Sequence, residues 1–320
     1  MRIVEFGPVA IFARTHPEAT EWIFAGTGRG HLLGAQVEDF GLRQFARLLR
    51  LVRMPGPAFV ACHVPDRSLR GHPLIAAAYH AIIRGSMLPI VGLDFADRVA
   101  LTSPALHMLA ACTVYFKREL PFDRSELLPN GSEKERRLLE RNLGKIRPIS
   151  LGLGEWRIDG LPHCPQPKTA DVFFAGRINS AARRNGVPLL QRAAAEGLRV
   201  DFPNEALDRP AFLRRLSQSH LAWAPEGLGW QTFRQFEAAV AGSVPVVNRG
   251  RIEVPHALRD AEHCFYYEDD GEDMIRVLRQ AVVDQPRLSR VAAAARDHVL
   301  AHHTHRAVTD QILAEAGRFL

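Results

Sequence analysis

"HLAWAPEGLGWQTFRQFEAAVAGSVPVV" runs from His220 to Val247 and holds the unit from which this chain is built. "HLAWAP" reads as a buried strand ending at Pro225. The bend "EGLG" follows, where Gly227 and Gly229 can take positive φ and expose backbone amides. From Trp230 to Ala241, Phe233, Phe236, Ala239 and Val240 recur at helical spacing and mark one face. "AGSVPVV" then stops the helix at Gly242 and enters a β-branched strand. Arg234 and Glu237 lie three residues apart on another face of that helix, close enough to touch. Such a pair on a surface contributes only ~0.2–0.5 kcal/mol, so its position between two buried strands asks for a further reason.

The same alternation extends over the whole chain. "MRIVEFG", "EWIFAG", "AFVACHV", "MLPIVGL" and "CTVYF" read as strands in the first half, separated by the amphipathic patterns "VEDFGLRQFARLLRLVRM" and "HPLIAAAYHAIIRG". "NGSEKERRLLERNLG" reads as a charged helix capped by Ser132, with Glu135 closing a capping box. Residues 159–170, "DGLPHCPQPKTA", have linker composition. The pattern resumes with strand "DVFFAG", helix "AARRNGVPLLQRAAAEG", strand "LRVDF", helix "RPAFLRRLSQ", the opening stretch and strand "HCFYY", and it ends in three helical segments. Strands alternating with helices predict parallel sheets covered on both faces, arranged as two α/β domains with ligands beyond the carboxyl ends of the strands.

At 320 residues the chain has room for two such domains, and 47% hydrophobic with 24% charged residues is a globular composition. No apolar run approaches ~20 residues and the first residues lack a signal-peptide layout, which predicts a cytoplasmic protein, peripheral to the inner membrane face if it meets a membrane. Cys62, Cys112, Cys164 and Cys264 are scattered, so buried thiols are expected rather than zinc or disulfides. The net charge is +6, carried by 37 arginines and four lysines, a bias that suits GC-rich bacterial coding. The excess suits an anionic ligand, an anionic membrane surface or nucleic acid. The arginines are spread rather than gathered in a basic tract, which weighs against nucleic acid without excluding it.

In "DVFFAGRINSAARR" a buried strand runs out at Gly176, where any side chain would crowd an approaching ligand. Arg177 follows, and Arg183 and Arg184 open the next helix. Guanidinium groups beside helix-start amides suit a diphosphate; a plain strand–helix turn with solvated arginines is the alternative.

Taken together, the blocks "PEG-GW", "R-x-x-E-A", "AG-x-VPVV" and "DVFFAGRINSAARR", with the closing "AAAARDHVLAHHTHRAVTDQIL", resemble the nucleotide-sugar half of GT-B glycosyltransferases, and within them the exostosin-like and spore-maturation-type branch. The resemblance covers about 171–320; in the first half only "VYFKREL" resembles a segment of that branch. It implies two Rossmann-like domains facing across a cleft: 1–160 on the acceptor side, 171–300 binding the nucleotide sugar, and 301–320 as a helix returning toward the first domain. It implies transfer of a sugar from a nucleoside diphosphate to an acceptor hydroxyl of a glycan, glycolipid or small molecule, with no cofactor and no obligatory metal. Glu237 would accept the ribose hydroxyls. Arg177, Arg183, Arg234 and the amides around Gly227 and Gly229 would cradle the diphosphate. Many retaining members carry two acids eight residues apart, whereas Glu226 and Glu237 are eleven apart, so the role of Glu226 near the sugar and the stereochemical outcome stay open.

In the first half, His63, Asp94 and Lys117 follow strand ends. Asp94 or His63 is the expected base for an acceptor, with Asp97 a further candidate. Lys117, beside Arg118, suits phosphate neutralisation, and a solvated strand end is equally compatible. "YYEDDGED" reads as helix N-terminal charge (Asp269, Asp270, Asp273) rather than a metal site. His302, His303 and His305 read as solvated imidazoles at a helix junction, and "GTGRG" at 26–30 lacks the full dinucleotide spacing. Two rival functions fit the same residues: a nucleotide-sugar-binding protein without catalysis, and a GT-B enzyme that glycosylates a modified nucleic-acid base.

Overall fold

The computed structural model describes residues 1–25, 30–32, 35–37, 40–56, 58–64, 72–161, 166–268, 271 and 273–319, with only the backbone described at 30–32 and 35–37. Most of "GTGRG", together with Cys164, Asp269 and Asp270, lies outside them. The chain divides into two compact units: Met1–Ile149 with Thr309–Leu320, and Ser150–Val308.

Unit 1 is built on β1 (Arg2–Gly7), β2 (Thr20–Phe24), β5 (Ala58–His63), β6 (Ile90–Asp94), β7 (Val114–Lys117) and β9 (Ile146–Pro148), in the spatial order β2-β1-β5-β6-β7-β9. Every pairing is parallel. A hairpin of β3 (Gly30–Leu32) and β4 (Ala35–Val37) and the short β8 (Leu120–Pro121) stand outside this sheet. The helices are α1 (Phe12–Thr15), α2 (Leu42–Leu51), α3 (Pro73–Gly85), α4 (Ser103–Ala111) and α5 (Glu133–Glu140). The expected capping box of α5 is present, with Ser132 and Glu135 bonding each other's backbone. Phe6, Phe40, Val60, Tyr79, Leu109 and Tyr115 belong to one buried core. The strands are apolar on both sides because helices must cover both faces of a parallel sheet.

Unit 2 repeats the plan with β10 (Ala170–Phe173), β11 (Val200–Asp201), β12 (Ser219–Trp223), β13 (Val244–Asn248) and β15 (Phe265–Tyr267), in the order β11-β10-β12-β13-β15 and again parallel. A further short strand, β14, spans Ile252–Glu253. Its helices are α6 (Ala181–Ala195), α7 (Arg209–Ser217), α8 (Phe233–Val240), α9 (Met274–Val283) and α10 (Gln285–His302). The last helix, α11 (His305–Ala316), begins in unit 2 and ends in unit 1.

The opening stretch folds as β12, bend, α8 and β13. Gly242 takes φ +77, its amide donates to the Ala239 carbonyl at 3.1 Å, and the Ser243 amide donates to Ala238 at 2.9 Å. That paired closure ends α8 and sends the chain into β13. Phe236, Ala239 and Val240 pack with Ala295 and Val299 of α10, as the apolar face of the helix requires.

The free cysteines Cys62, Cys112 and Cys264 are buried, and burial raises each thiol's pKa, Cys112 to about 12. No helix is long and apolar enough to cross a membrane, among the described residues.

Candidate functional site

In unit 2 the strand order reverses between β10 and β12, and chains leaving neighbouring strands in opposite directions open a crevice beyond their carboxyl ends. From β10 the chain passes Gly176 and Arg177 to Ser180, whose hydroxyl accepts the Arg183 amide (3.2 Å) and so caps α6. The same hydroxyl donates to the Glu226 carbonyl at 3.0 Å, joining the loop after β10 to the loop after β12. Glu226 is held in turn by Asn248, whose side-chain oxygen accepts its amide at 2.9 Å and whose Nδ2 donates to its carboxylate at 3.4 Å.

Two arginines converge on these loops. Arg183, only 7% exposed, donates through Nη1 to the Arg177 carbonyl at 2.9 Å and to Asn179 at 3.0 Å. Arg234, from the first turn of α8, donates to the Ala175 carbonyl and stands over the Phe174 ring, 5.1 Å from its centroid. The Nε of each is buried without a hydrogen-bond partner, and neither forms an ion pair among the described residues. Burial, and then the Arg183 cation beside it, press the Arg234 pKa down to about 10 against the pull of Glu237. Burial also lowers that of Arg183, against the pull of Glu226. An unpaired buried donor costs ~1–3 kcal/mol, more when charged, and two neighbouring cations add repulsion. An anion between them would relieve both.

Gly176 leaves room for this arrangement, because a Cβ there would stand 2.4 Å from Arg234 Nη2 and push the guanidinium aside. A Cβ on Gly227 would stand 3.0 Å from Arg183 Nη2. The bend itself differs from expectation. Gly227 and Gly229 do not take positive φ, and the Gly227 amide donates to the Gly229 carbonyl at 2.9 Å. The loop closes on itself, which removes that amide from the cradle. The Arg177 side chain is exposed, and its carbonyl serves to position Arg183.

Glu237 is 4% exposed, and its partner is not Arg234. Its Oε1 receives Arg157 Nη1 at 3.2 Å and Arg209 Nη2 at 2.9 Å, while Oε2 carries no hydrogen bond among the described residues. Sequence spacing exposes only neighbours within one helix. These partners come from the turn before the linker and from the start of α7, so spacing could not reveal them.

The candidates in unit 1 are occupied by their own fold. Asp94, 3% exposed, accepts Tyr115 OH at 2.9 Å and Lys117 Nζ at 3.2 Å on Oδ2, and the Ala96 amide at 3.1 Å on Oδ1. Lys117 is fully buried and also donates to the Arg98 carbonyl at 2.9 Å, so it is not a solvated strand end. Arg118 pairs with Asp97 and Glu119. His63 ends β5, at the point where the unit 1 strand order reverses. Its Nε2 meets Glu5 Oε1 at 3.2 Å, and Glu5 also accepts the amides of Ile11, Phe12 and Ala13.

The histidine reading needs correction. His303 is fully buried, stacked 4.6 Å from Phe236, bonded to Ser150 through Nδ1 and to the His256 carbonyl through Nε2. His302 stacks on His256 at 4.1 Å, and His298 on His263 at 4.0 Å. Asp273 accepts the Glu268 amide and pairs with Arg276 at the start of α9. No cluster of three or more metal-ligating side chains is present among the described residues.

Residues 211–314 match a family described as glycosyl transferase-like. Solved structures of similar shape include sucrose-phosphate synthase from Thermosynechococcus elongatus (12% identity, TM-score 0.57, 99% of this chain and 98% of that one). Anabaena HepE in complex with UDP and glucose gives 12% identity, TM-score 0.60 and full coverage of both chains. The trehalose-phosphate synthase of Burkholderia vietnamiensis gives 10%, 0.58, and 99% and 100%. No curated protein matches. The chain therefore has the GT-B glycosyltransferase fold, and about a third of it, 211–314, matches a glycosyl transferase-like family.

Proposed function

We propose that the protein is a glycosyltransferase that takes a sugar from a nucleoside diphosphate and gives it to an acceptor hydroxyl. The observation that carries this reading is the pair of buried guanidiniums of Arg183 and Arg234 at the strand-order reversal of unit 2, each with an unbonded Nε and no ion-pair partner among the described residues. As the glycosidic bond breaks, negative charge builds on the departing diphosphate. Pre-placed cations in a site of low dielectric stabilise that charge without having to reorganise. Glu237 takes the ribose. Donor binding on this reading needs no divalent cation, since the two arginines supply the positive charge. On the acceptor side His63 suits a base better than Asp94, because both oxygens of Asp94 are already bonded while His63 keeps Nδ1 unbonded among the described residues. The matched family and the neighbour bound to UDP and glucose support the donor class.

The test is titration of UDP, GDP, CDP, ADP and dTDP, with and without EDTA, followed by a transfer assay with the sugar derivative of the tightest binder. One nucleotide should bind equally well with the chelator and raise stability by ~2.7 kcal/mol at 100 times its Kd. Absence of binding by all five would defeat the reading, and binding without transfer or donor hydrolysis would favour a non-catalytic binder.

A further inference from the structure

Arg157 and Arg209 have no place in the reading above, yet they are held with unusual care. The Arg157 guanidinium is sandwiched between the rings of Phe233 and Trp156, 3.4 and 4.4 Å from their centroids. Arg209 donates to the Arg157 carbonyl and lies 5.2 Å from the Phe212 ring. Arg209 is also the first residue of α7, where the helix dipole disfavours a cation, although Asp208 caps that terminus by accepting the Ala211 amide at 2.8 Å. Both guanidiniums end on one atom, Glu237 Oε1. Burial lowers the Arg157 pKa and Glu237 raises it again.

A carboxylate offers about four lone-pair sites, two on each oxygen. Arg157 donates to Oε1 and Arg209 forms an ion pair with the same atom, which leaves Oε2, with its two lone pairs, without a hydrogen bond among the described residues. Two is the number that the vicinal hydroxyls of a ribose can use. We infer that Arg157 and Arg209 are positioning residues that lock Glu237 by Oε1 and dedicate Oε2 to both ribose hydroxyls, making the site selective for ribonucleotides over 2′-deoxyribonucleotides. The inference rests on the nucleotide-sugar reading of this site. It goes further in assigning a function to two residues that the donor reading leaves unused.

The probes are the tightest-binding of UDP, GDP and ADP, its 2′-deoxy counterpart, and inorganic pyrophosphate, titrated into the intact protein. The wild type should prefer the ribonucleotide by about tenfold or more, since one charge-assisted hydrogen bond is at stake. In Arg157→Ala and Arg209→Ala the ribonucleotide should weaken most, the deoxynucleotide, which keeps only its 3′-hydroxyl, less, and pyrophosphate not at all, so that the ratio falls toward one. Arg157→Lys should recover part of it. An unchanged ratio in both alanine variants overturns the inference while leaving the site intact. Equal weakening of all three probes with a lower Tm makes the arginines merely structural and overturns it too. A wild type that binds pyrophosphate but shows no preference defeats the role of Glu237, and one that binds none of the probes defeats the site reading as a whole.

Discussion

The two units present the same place in the same kind of sheet, the reversal of strand order, and charge it in opposite ways. In unit 1 the charged candidates Glu5, His63, Asp94 and Lys117 are each answered. Glu5 takes three amides and His63, and Asp94 takes a phenol, an ammonium and an amide. In unit 2 Arg183 and Arg234 are buried beside each other with donors left over. Arg157 and Arg209 also keep a buried Nε without a partner but are answered by Glu237, so what sets Arg183 and Arg234 apart among the described residues is the missing counter-charge, the mark by which a candidate ligand site differs from scaffold.

The contrast breaks first, and with the largest effect, at Lys117. Lys117→Met strands the Asp94 carboxylate in the core and should cost about 3–5 kcal/mol in urea denaturation, with nucleotide affinity unchanged in the protein that stays folded. Loss of affinity without loss of stability would return Lys117 to the donor site.

Arg234→Met should do the reverse. It removes a buried cation that lacks a counter-charge, so Tm should hold or rise. Titration should show nucleoside diphosphate affinity falling about 100-fold, for ~2.7 kcal/mol of lost charge-assisted bonding. A large drop in Tm would place Arg234 with the scaffold charges.

An effect small at each pH step sharpens the comparison through pH. Burial, first, and then the surrounding imidazoles hold His303 down to about 3 from an ordinary 6.5, despite the raising bond to the His256 carbonyl. The unfolded chain therefore takes up the proton first. The contribution of His303 to stability is complete above pH 6.5 and is lost as pH falls toward 3, at up to ~1.4 kcal/mol per pH unit. His303→Gln should flatten that part of the urea-stability profile; an unaltered slope would assign it to other groups.

Much of the fold was legible because it rests on periodicity. The runs around β1, β5, β6, β12 and β13 are short, apolar and bounded, and the cap of α5 is written as Ser132 and Glu135. Helix α4 is not legible, because "SPALHMLAA" is apolar nearly all round and shows no contrast of faces. The short β9 gave no run long enough to read. At the site, Arg183, Gly176 and Glu237 were legible from local pattern and resemblance. The partners of Glu237 were not, since Arg157 lies 80 residues away, beyond any local spacing. Nor was the burial of Lys117, which depends on an aspartate one strand over.

Gly176 carries one more consequence, and it is genetic. The absence of a side chain there is what lets the Arg234 guanidinium take its place, since a Cβ would come within 2.4 Å of it. Every glycine codon is a single base change from an alanine codon. A methyl group at this position would displace one guanidinium at the end of a strand and leave both sheets as they are. On the proposed reading, a copy of this gene would weaken its hold on the donor in one mutational step while still encoding a folded protein.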